Sequence, residues 1–166
     1  MKRIFALALI LALCLTACGT AVKGEEEGYQ LYFLSREDSG GALVPAPYQE
    51  REEPTPRQLL TALLAGPEDQ ETASPFPAGV FLRSCRLEEG VLYVDLSEDY
   101  GGLSDVRLTL ADYAITMTLC QLEQVDGVCI TAAGQPLSYR SHQILTPEEA
   151  VLSGTVTEAE PEEETN

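Results

Sequence analysis

The segment FLRSCRLEEGVLYVDLS, residues 81–97, carries the strongest β-sheet signal in the chain. Two runs of alternating aliphatic and polar residues flank Glu89-Gly90, which is the kind of two-residue turn that joins antiparallel strands. With that turn, the directly opposed pairs are Leu87 and Leu92, Cys85 and Val94, and Arg83 and Leu96. The segment therefore predicts a β-hairpin with a defined register.

The two faces of this hairpin differ in polarity, because directly opposed residues of an antiparallel pair share one face. The face predicted to meet the core holds Phe81, Cys85, Leu87, Leu92, Val94 and Leu96. The other face holds Ser84, Arg86, Val91, Tyr93 and Asp95. We expect the first face to be buried and the second to meet water or a partner.

A helix is predicted on each side of the hairpin in the chain. In PTPRQLLTALLAGP, residues 54–67, Thr55 and Gln58 have the spacing of a capping box, and a Gly-Pro pair ends the apolar stripe. The second helix is predicted over residues 108–122, where apolar side chains recur at spacings of three and four and Thr109 is a candidate cap.

Shorter strands are predicted around these elements. Residues 29–34 and 42–44 are predicted to pair as a hairpin, and residues 127–133 alternate in polarity as a strand does. Residues 137–144 are a candidate edge strand. Residues 67–79 contain three prolines and are predicted to be a surface loop.

The order of elements is strand, strand, helix, strand, strand, helix and strand. It predicts an α+β two-layer sandwich, in which two helices cover one face of a small, mainly antiparallel sheet. We place this domain at residues 29–145, which is long enough for one hydrophobic core.

Six segments occur in a distinctive order along the chain. They are YFLS (32–35), ALVP (42–45), LLTALLAGP (59–67), SPFPAG (74–79), VLYVDLS (91–97) and TLCQLEQVDGVCITAAGQP (118–136). Together they resemble the GerMN domain of sporulation and spore germination lipoproteins. The resemblance implies an exported lipoprotein of spore-forming or related bacteria, with a ring-building-motif-like β-α-β-β-α-β fold. It also implies a role in assembling or stabilising envelope machinery, without known catalysis.

The amino terminus has the pattern of a bacterial lipoprotein signal. Lys2 and Arg3 precede an apolar region at residues 4–17, which is too short to span a membrane. Leu15-Thr16-Ala17-Cys18 matches a lipobox, in which the cysteine becomes the lipidated first residue. We predict a signal peptide at residues 1–17 and a membrane anchor at Cys18, on the extracytoplasmic face. The alternative is an ordinary secretory signal with a chance cysteine.

The charge of the chain excludes some partners. It has 27 acidic and 10 basic residues, for a formal net charge of −17. Such a chain repels nucleic acid and anionic headgroups, so we expect no nucleic-acid partner and membrane contact through the acyl anchor. Acidic residues are concentrated in residues 18–28 and 146–166, which are predicted to be a tether and a disordered tail.

Side chains suited to catalysis or metal binding are sparse. His142 is the only histidine, and Cys85, Cys120 and Cys129 form no CxxC motif. Asp95, Glu98 and Asp99 do not have the spacing of an EF-hand. We therefore expect no catalytic residue, metal, cofactor or small-molecule substrate.

We interpret the domain as a non-enzymatic, lipid-tethered interaction module that docks an envelope protein through its exposed sheet face or an edge strand. Tyr93, Val91 and Asp95 are the candidate interface residues. One alternative is an envelope enzyme or small-ligand-binding lipoprotein that uses the carboxylates of residues 95–99 and the loop at 74–77. Another is a lipoprotein sensor that modulates a membrane kinase.

Overall fold

The computed structural model describes residues 28–38, 41–50, 53–138, 140 and 143–149. The predicted signal peptide and the candidate lipidation site Cys18 lie outside these residues, as does His142. The predicted acidic tether and tail also lie outside them, apart from residue 28 and residues 146–149.

The elements of the described region follow an α+β order. The strands are β1 Gln30–Ser35, β2 Leu43–Pro47, β3 Thr72–Ala73, β4 Leu82–Glu88, β5 Val91–Leu96, β6 Gly127–Ala132, β7 Gln135–Pro136 and β8 Ile144–Leu145. The helices are α1 Pro56–Ala65 and α2 Asp105–Leu119, and 3₁₀ turns occupy Glu98–Gly102 and Pro147–Glu149. β5 and β6 pair in parallel, whereas the other pairings of these strands are antiparallel. The predicted α+β class with mainly antiparallel strands is confirmed.

The strands belong to two sheets, a division that the sequence patterns do not reveal. The first sheet has the order β2-β1-β3. The second sheet has the order β4-β5-β6-β7, and β8 also pairs with β6. Alternation specifies which face of a strand is buried, but it does not specify which strand lies beside it.

Helix α1 begins with the predicted capping box. The Thr55 hydroxyl accepts a hydrogen bond from the Gln58 amide at 3.3 Å, and the Gln58 side-chain oxygen accepts one from the Thr55 amide at 2.9 Å. Leu59, Leu60 and Leu63 are buried on one face. The helix ends where the amide of the next residue, a glycine at φ 88°, donates to the Leu63 carbonyl.

Helix α2 differs from its prediction at both ends. It begins at Asp105, three residues before the predicted start, and it ends at Leu119. Thr109 lies inside the helix and donates to the Asp105 carbonyl at 3.1 Å, so Thr109 is not the cap. The first turn was missed because it is exposed: Val106 has 65% of its surface accessible and contributes no apolar periodicity.

Helix α2 contacts both sheets, through β1 of the first and β6 of the second. Its buried residues are Leu108, Ala111, Asp112, Ala114, Ile115, Thr116, Thr118 and Leu119. A helix that is buried on most sides has no single apolar stripe. The described residues contain no helix that is long and apolar enough to cross a membrane.

The central hairpin forms with most of its predicted register. Glu89 and Gly90 have φ values of 49° and 81°, as a type I′ turn requires. Leu87 pairs with Leu92 and Cys85 with Val94, as expected. Arg83 does not pair with Leu96, because a bulge between Leu82 and Ser84 places Leu82 opposite that residue.

Two residues assigned to the core face of the hairpin are exposed, which corrects the prediction. Phe81 is 58% exposed and Leu87 is 41% exposed. Both lie on or beside β4, the outer strand of the second sheet. Core packing covers β5 and β6 better than it covers an outer strand, and alternation within the hairpin cannot reveal which strand is outermost.

Two short segments also differ from their predictions. Residues 67–79 are not only a loop, because β3 lies within them and pairs with β1. The predicted edge strand at 137–144 is replaced by β8, whose Ile144 lies opposite Cys129 of β6. Strands of two residues are too short to produce a periodic signal.

Candidate interaction surface

The outer face of the second sheet is the side that points away from the core. We define it by Ser84, Arg86, Tyr93, Asp95, Cys129 and Thr131, which line a shallow depression of about 240 Å³. On the opposite side, β5 buries Leu92 and Val94, and β6 buries Val128 and Ile130. The sheet therefore has one buried face and one face open to a partner.

Tyr93 lies in the middle of this outer face. The guanidinium carbon of Arg86 lies 4.4 Å from the centre of its ring, which is a cation–π contact. Arg86 also forms an ion pair with Glu88 on the same strand. Val91, two residues before Tyr93, is half-buried at the start of β5. The structure thus places Tyr93 on the predicted face, and its role in an interface stays a prediction.

Asp95 is held at the edge of this face by three donors. One carboxylate oxygen accepts from Arg83 at 2.7 Å. The other accepts from the Thr131 hydroxyl at 2.8 Å and the Gly134 amide at 2.7 Å. Its side chain is only 18% exposed. Asp95 therefore connects β4, β6 and the turn before β7, and a partner would reach it less easily than Tyr93.

The other carboxylates of this segment do not join Asp95 in one site. The Ser97 hydroxyl contacts Asp99 at 3.5 Å, and Asp99 lies beside Gly79. Among the residues that the structure describes, no group of three His, Cys, Asp or Glu side chains could hold a metal ion.

A buried polar cluster on the inner side of the second sheet was not predicted. The Tyr100 hydroxyl donates to Asp112 at 2.6 Å, and Arg140 Nε donates to the other oxygen of Asp112 at 2.8 Å. Arg140 Nη2 also contacts Asp112, and Nη1 donates to the Ile130 carbonyl at 2.5 Å. The Arg140 and Asp112 side chains are only 4% and 6% exposed.

This cluster joins the chain at residue 140 to α2 and β6. Burial raises the pKa of Tyr100 well above its usual value of 10.0, and the nearby Asp112 carboxylate raises it further. The only local signal for the cluster was an aspartate beside the apolar positions of α2. Its partner is 28 residues away, which is beyond the reach of any periodic pattern.

The three described cysteines are free and half-buried. Burial raises the pKa of the Cys85 thiol. Burial, together with the charges of Glu148 and Asp126, raises the pKa of Cys120 to about 11. Reactive cysteines have lowered pKa values, because the thiolate is the nucleophile. Neither Cys85 nor Cys120 is therefore prepared for nucleophilic chemistry.

The domain with these features corresponds to a known family. The family model Germane, described as sporulation and spore germination, matches residues 30–138. This match covers more than half of the chain, and the chain therefore belongs to that family. The resemblance predicted from the sequence is confirmed. No curated protein matches this chain.

Two solved structures from Bacillus subtilis share the fold. The first GerMN domain of the sporulation protein GerM matches with a TM-score of 0.60 and 16% identity, over 73% of this chain and 98% of that structure. The tandem GerMN domains of GerM match with a TM-score of 0.60 and 19% identity, over 72% of this chain and 46% of that structure. This chain thus spans about half the length of the tandem structure.

Proposed function

We propose that this protein is a lipid-anchored, non-enzymatic docking module of the bacterial envelope. Its anchor is Cys18, and its GerMN domain binds an envelope protein on the extracytoplasmic side of the membrane. Membership of the sporulation and spore germination family supports a role in one of those processes. The lipobox at residues 15–18 supports the anchor.

The observation that carries this proposal is the organisation of the outer face of the second sheet. Tyr93 has its ring held under the Arg86 guanidinium at 4.4 Å, so both side chains are preorganised. Tyrosine and arginine, together with tryptophan, are enriched among the residues that contribute most of the binding energy in protein interfaces. A preordered pair loses less side-chain entropy on binding than two free side chains do.

The state of the reactive groups supports docking over catalysis. Asp95 and Asp112 each accept hydrogen bonds from an arginine and from other donors, so neither is placed as a general base. The raised pKa of Cys120 opposes formation of a thiolate. The outer face is a shallow depression, whereas substrate pockets enclose most of a small ligand.

Photo-crosslinking in intact cells tests the docking site. A photoreactive residue at Tyr93 is expected to yield one protein adduct of defined mass. The matched control is the same residue at Val106, which is exposed on the first turn of α2 and lies outside the outer face. Adducts of equal yield from both positions, or no adduct from Tyr93, would contradict the proposal.

A separate measurement tests the anchor. Mass spectrometry of the mature amino terminus should find Cys18 carrying a diacylglycerol thioether, and Cys18→Ser should release the protein from the membrane fraction. Two acyl chains give stable anchoring because each buried methylene contributes about 0.8 kcal/mol. An unmodified Cys18 in the membrane-bound protein would disprove the anchor without affecting the docking site.

A further inference from the structure

The edges of the first sheet are closed by identifiable groups. Just beyond the two ends of β2, the Tyr48 amide donates to the Tyr29 carbonyl at 2.8 Å, and the Ala42 carbonyl accepts from the Ser35 amide. The even-numbered residues of β2 therefore direct their backbone groups toward β1. Pro45 and Pro47 therefore occupy outward positions, where they provide no N–H. On the other side of the sheet, the Thr72 amide of β3 is bound by the Asp69 side chain.

Two side chains, one in α2 and one just after it, bind the part of β1 that does not pair with β3. The Gln121 side chain accepts from the Gln30 amide at 2.8 Å and donates to the Gln30 carbonyl at 2.7 Å. The Thr118 hydroxyl accepts from the Tyr32 amide at 3.2 Å. These backbone groups are thus unavailable to another strand.

On the far side of the second sheet, two short strands cover β6. β8 pairs with β6 at residues 128–129, and β7 pairs with it at residues 131–132. Between these two short strands, Arg140 donates to the Ile130 carbonyl. The long side of β6 is therefore covered along its length.

β4 is different, because no described strand lies on its outer side. In a two-residue hairpin, the closing pair Glu88 and Val91 exchanges both backbone hydrogen bonds, and every second pair does the same. Arg86 therefore turns its backbone groups toward β5, whereas Cys85 and Leu87 turn theirs outward. Five of the seven residues of β4 are exposed, so this edge is open to solvent.

We propose that β4 pairs with β4 of a second copy of this chain, antiparallel and centred on Leu87. This inference goes beyond docking to another envelope protein and does not depend on it. Leu87 would lie opposite its own copy, and their outward amides and carbonyls would form the central hydrogen-bonded pair. The two exposed leucine side chains would cover each other, which explains a 41% exposed leucine on an outer strand.

The charges on β4 select this register. With Leu87 at the centre, Arg86 of each copy lies directly opposite Glu88 of the other, so two ion pairs form. A register centred on Arg86 would oppose two arginines, which is unfavourable. A register centred on Cys85 would place Arg86 opposite Ser84 and form no such ion pair. The sequence Arg86-Leu87-Glu88 is thus complementary to itself in one antiparallel alignment.

The contact is short, because β4 ends at the turn after Glu88. An interface of this size belongs to the weak class, with a dissociation constant of about 10⁻⁴ M. Two copies held in one membrane would meet at a higher local concentration than two copies in solution.

Charge reversal tests both the pairing and its register. The full-length protein, studied in detergent micelles by sedimentation equilibrium at concentrations up to about five times this constant, is expected to form dimers. Arg86→Glu and Glu88→Arg should each weaken self-association at least tenfold, because each opposes like charges. An equimolar mixture of the two variants should dimerise again, since each reversed residue then meets an opposite charge.

The matched control is Arg107→Glu, which makes the same charge change at an exposed position on α2. It should leave self-association unchanged. Circular dichroism should find each variant folded, because the Arg86–Glu88 pair within one chain is more than half exposed and contributes little to stability. A wild-type protein that stays monomeric overturns the proposal, and so does a mixture that fails to dimerise. Neither result bears on crosslinking at Tyr93 to a different protein.

Discussion

β2 and β4 are both outer strands, but only β2 carries proline. Pro45 and Pro47 of β2 stand at the positions whose backbone groups point away from the sheet. Cys85 and Leu87 stand at the corresponding outward positions of β4 and retain their amides. Natural sheets usually block a free edge with proline, charge or a covering element. β4 instead has charged side chains and a bulge after Leu82, and its outward positions near the turn keep the amides that pairing needs.

On its inner side, the second sheet is joined to α2 by buried polar contacts. The ion pair of Asp112 and Arg140 is almost completely buried and joins α2, β6 and the chain at residue 140. Single substitutions can change β2, β4 or the Asp112–Arg140 cluster one at a time.

The largest effect is expected from Asp112→Ala. The variant leaves the Arg140 guanidinium buried without its counter-charge, so the free energy of unfolding should fall by about 3–5 kcal/mol. Urea denaturation followed by circular dichroism measures this loss. Asp95→Ala is the matched control and should lose about 1 kcal/mol, because its carboxylate is partly exposed. Equal losses in the two variants would mean that the inner side is no more firmly held than the outer face.

Proline substitution in β4 tests which backbone groups face outward. Arg86→Pro should destabilise the domain by about 2–3 kcal/mol, because it removes an amide that bonds to β5 and leaves a carbonyl unpaired. Leu87→Pro should cost less than about 1 kcal/mol, since its amide faces solvent, and it should abolish self-association. Chemical denaturation and sedimentation measure the two effects, with Leu87→Ala as the control. The reverse order of stability would show that the inward and outward assignments are exchanged.

The dependence of the unfolding free energy on alkaline pH tests the contribution of Tyr100 to the inner cluster. Its pKa in the folded protein is raised, so the stability that it contributes is present below pH 10 and is lost as pH rises above 10. Tyr100→Phe should reduce the alkaline slope of the unfolding free energy by up to about 1.4 kcal/mol per pH unit. Tyr32 and Tyr113 also have raised pKa values, so some slope should remain. An unchanged slope in the variant would rule out a protonated, buried Tyr100 hydroxyl.

The smallest effect on stability is expected from replacing the two prolines of β2. The double variant Pro45→Val and Pro47→Val should change the unfolding free energy by less than about 1 kcal/mol, because both prolines face outward. It should nevertheless create new self-association, detected by sedimentation in a protein whose β4 is blocked by Leu87→Pro. Pro67→Ala, in the loop after α1, is the control and should remain monomeric in that background. The absence of any association in the double variant would mean that the prolines are not the barrier.

Features that depend on neighbouring residues were predicted well from the sequence. The capping box of Thr55 and Gln58, the turn at Glu89-Gly90 and the pairing of Leu87 with Leu92 are all local. Backbone preferences and contacts over a few residues specify them. The family resemblance also depended on short segments in a set order, and the match over residues 30–138 confirms it.

Features that depend on distant residues were missed or misplaced. Phe81 and Leu87 were assigned to the core because alternation does not reveal which strand ends a sheet. Asp95 was chosen for its motif, whereas Asp112, the more deeply buried carboxylate, has no motif around it. The interface role of Tyr93, Val91 and Asp95 and the lipid at Cys18 remain predictions.

Local sequence specifies the turn at Glu89-Gly90, the cap of α1, the alternation of β5 and β6 and the family of the domain, because these properties depend on short-range geometry and on the order of short segments. Long-range packing selects which strands are neighbours and which backbone groups bind Gln121 or Arg140, and it leaves no described strand on the outer side of β4. The physical reason is that sheet neighbours are selected by packing between residues far apart in the chain, where helix α2 meets both sheets.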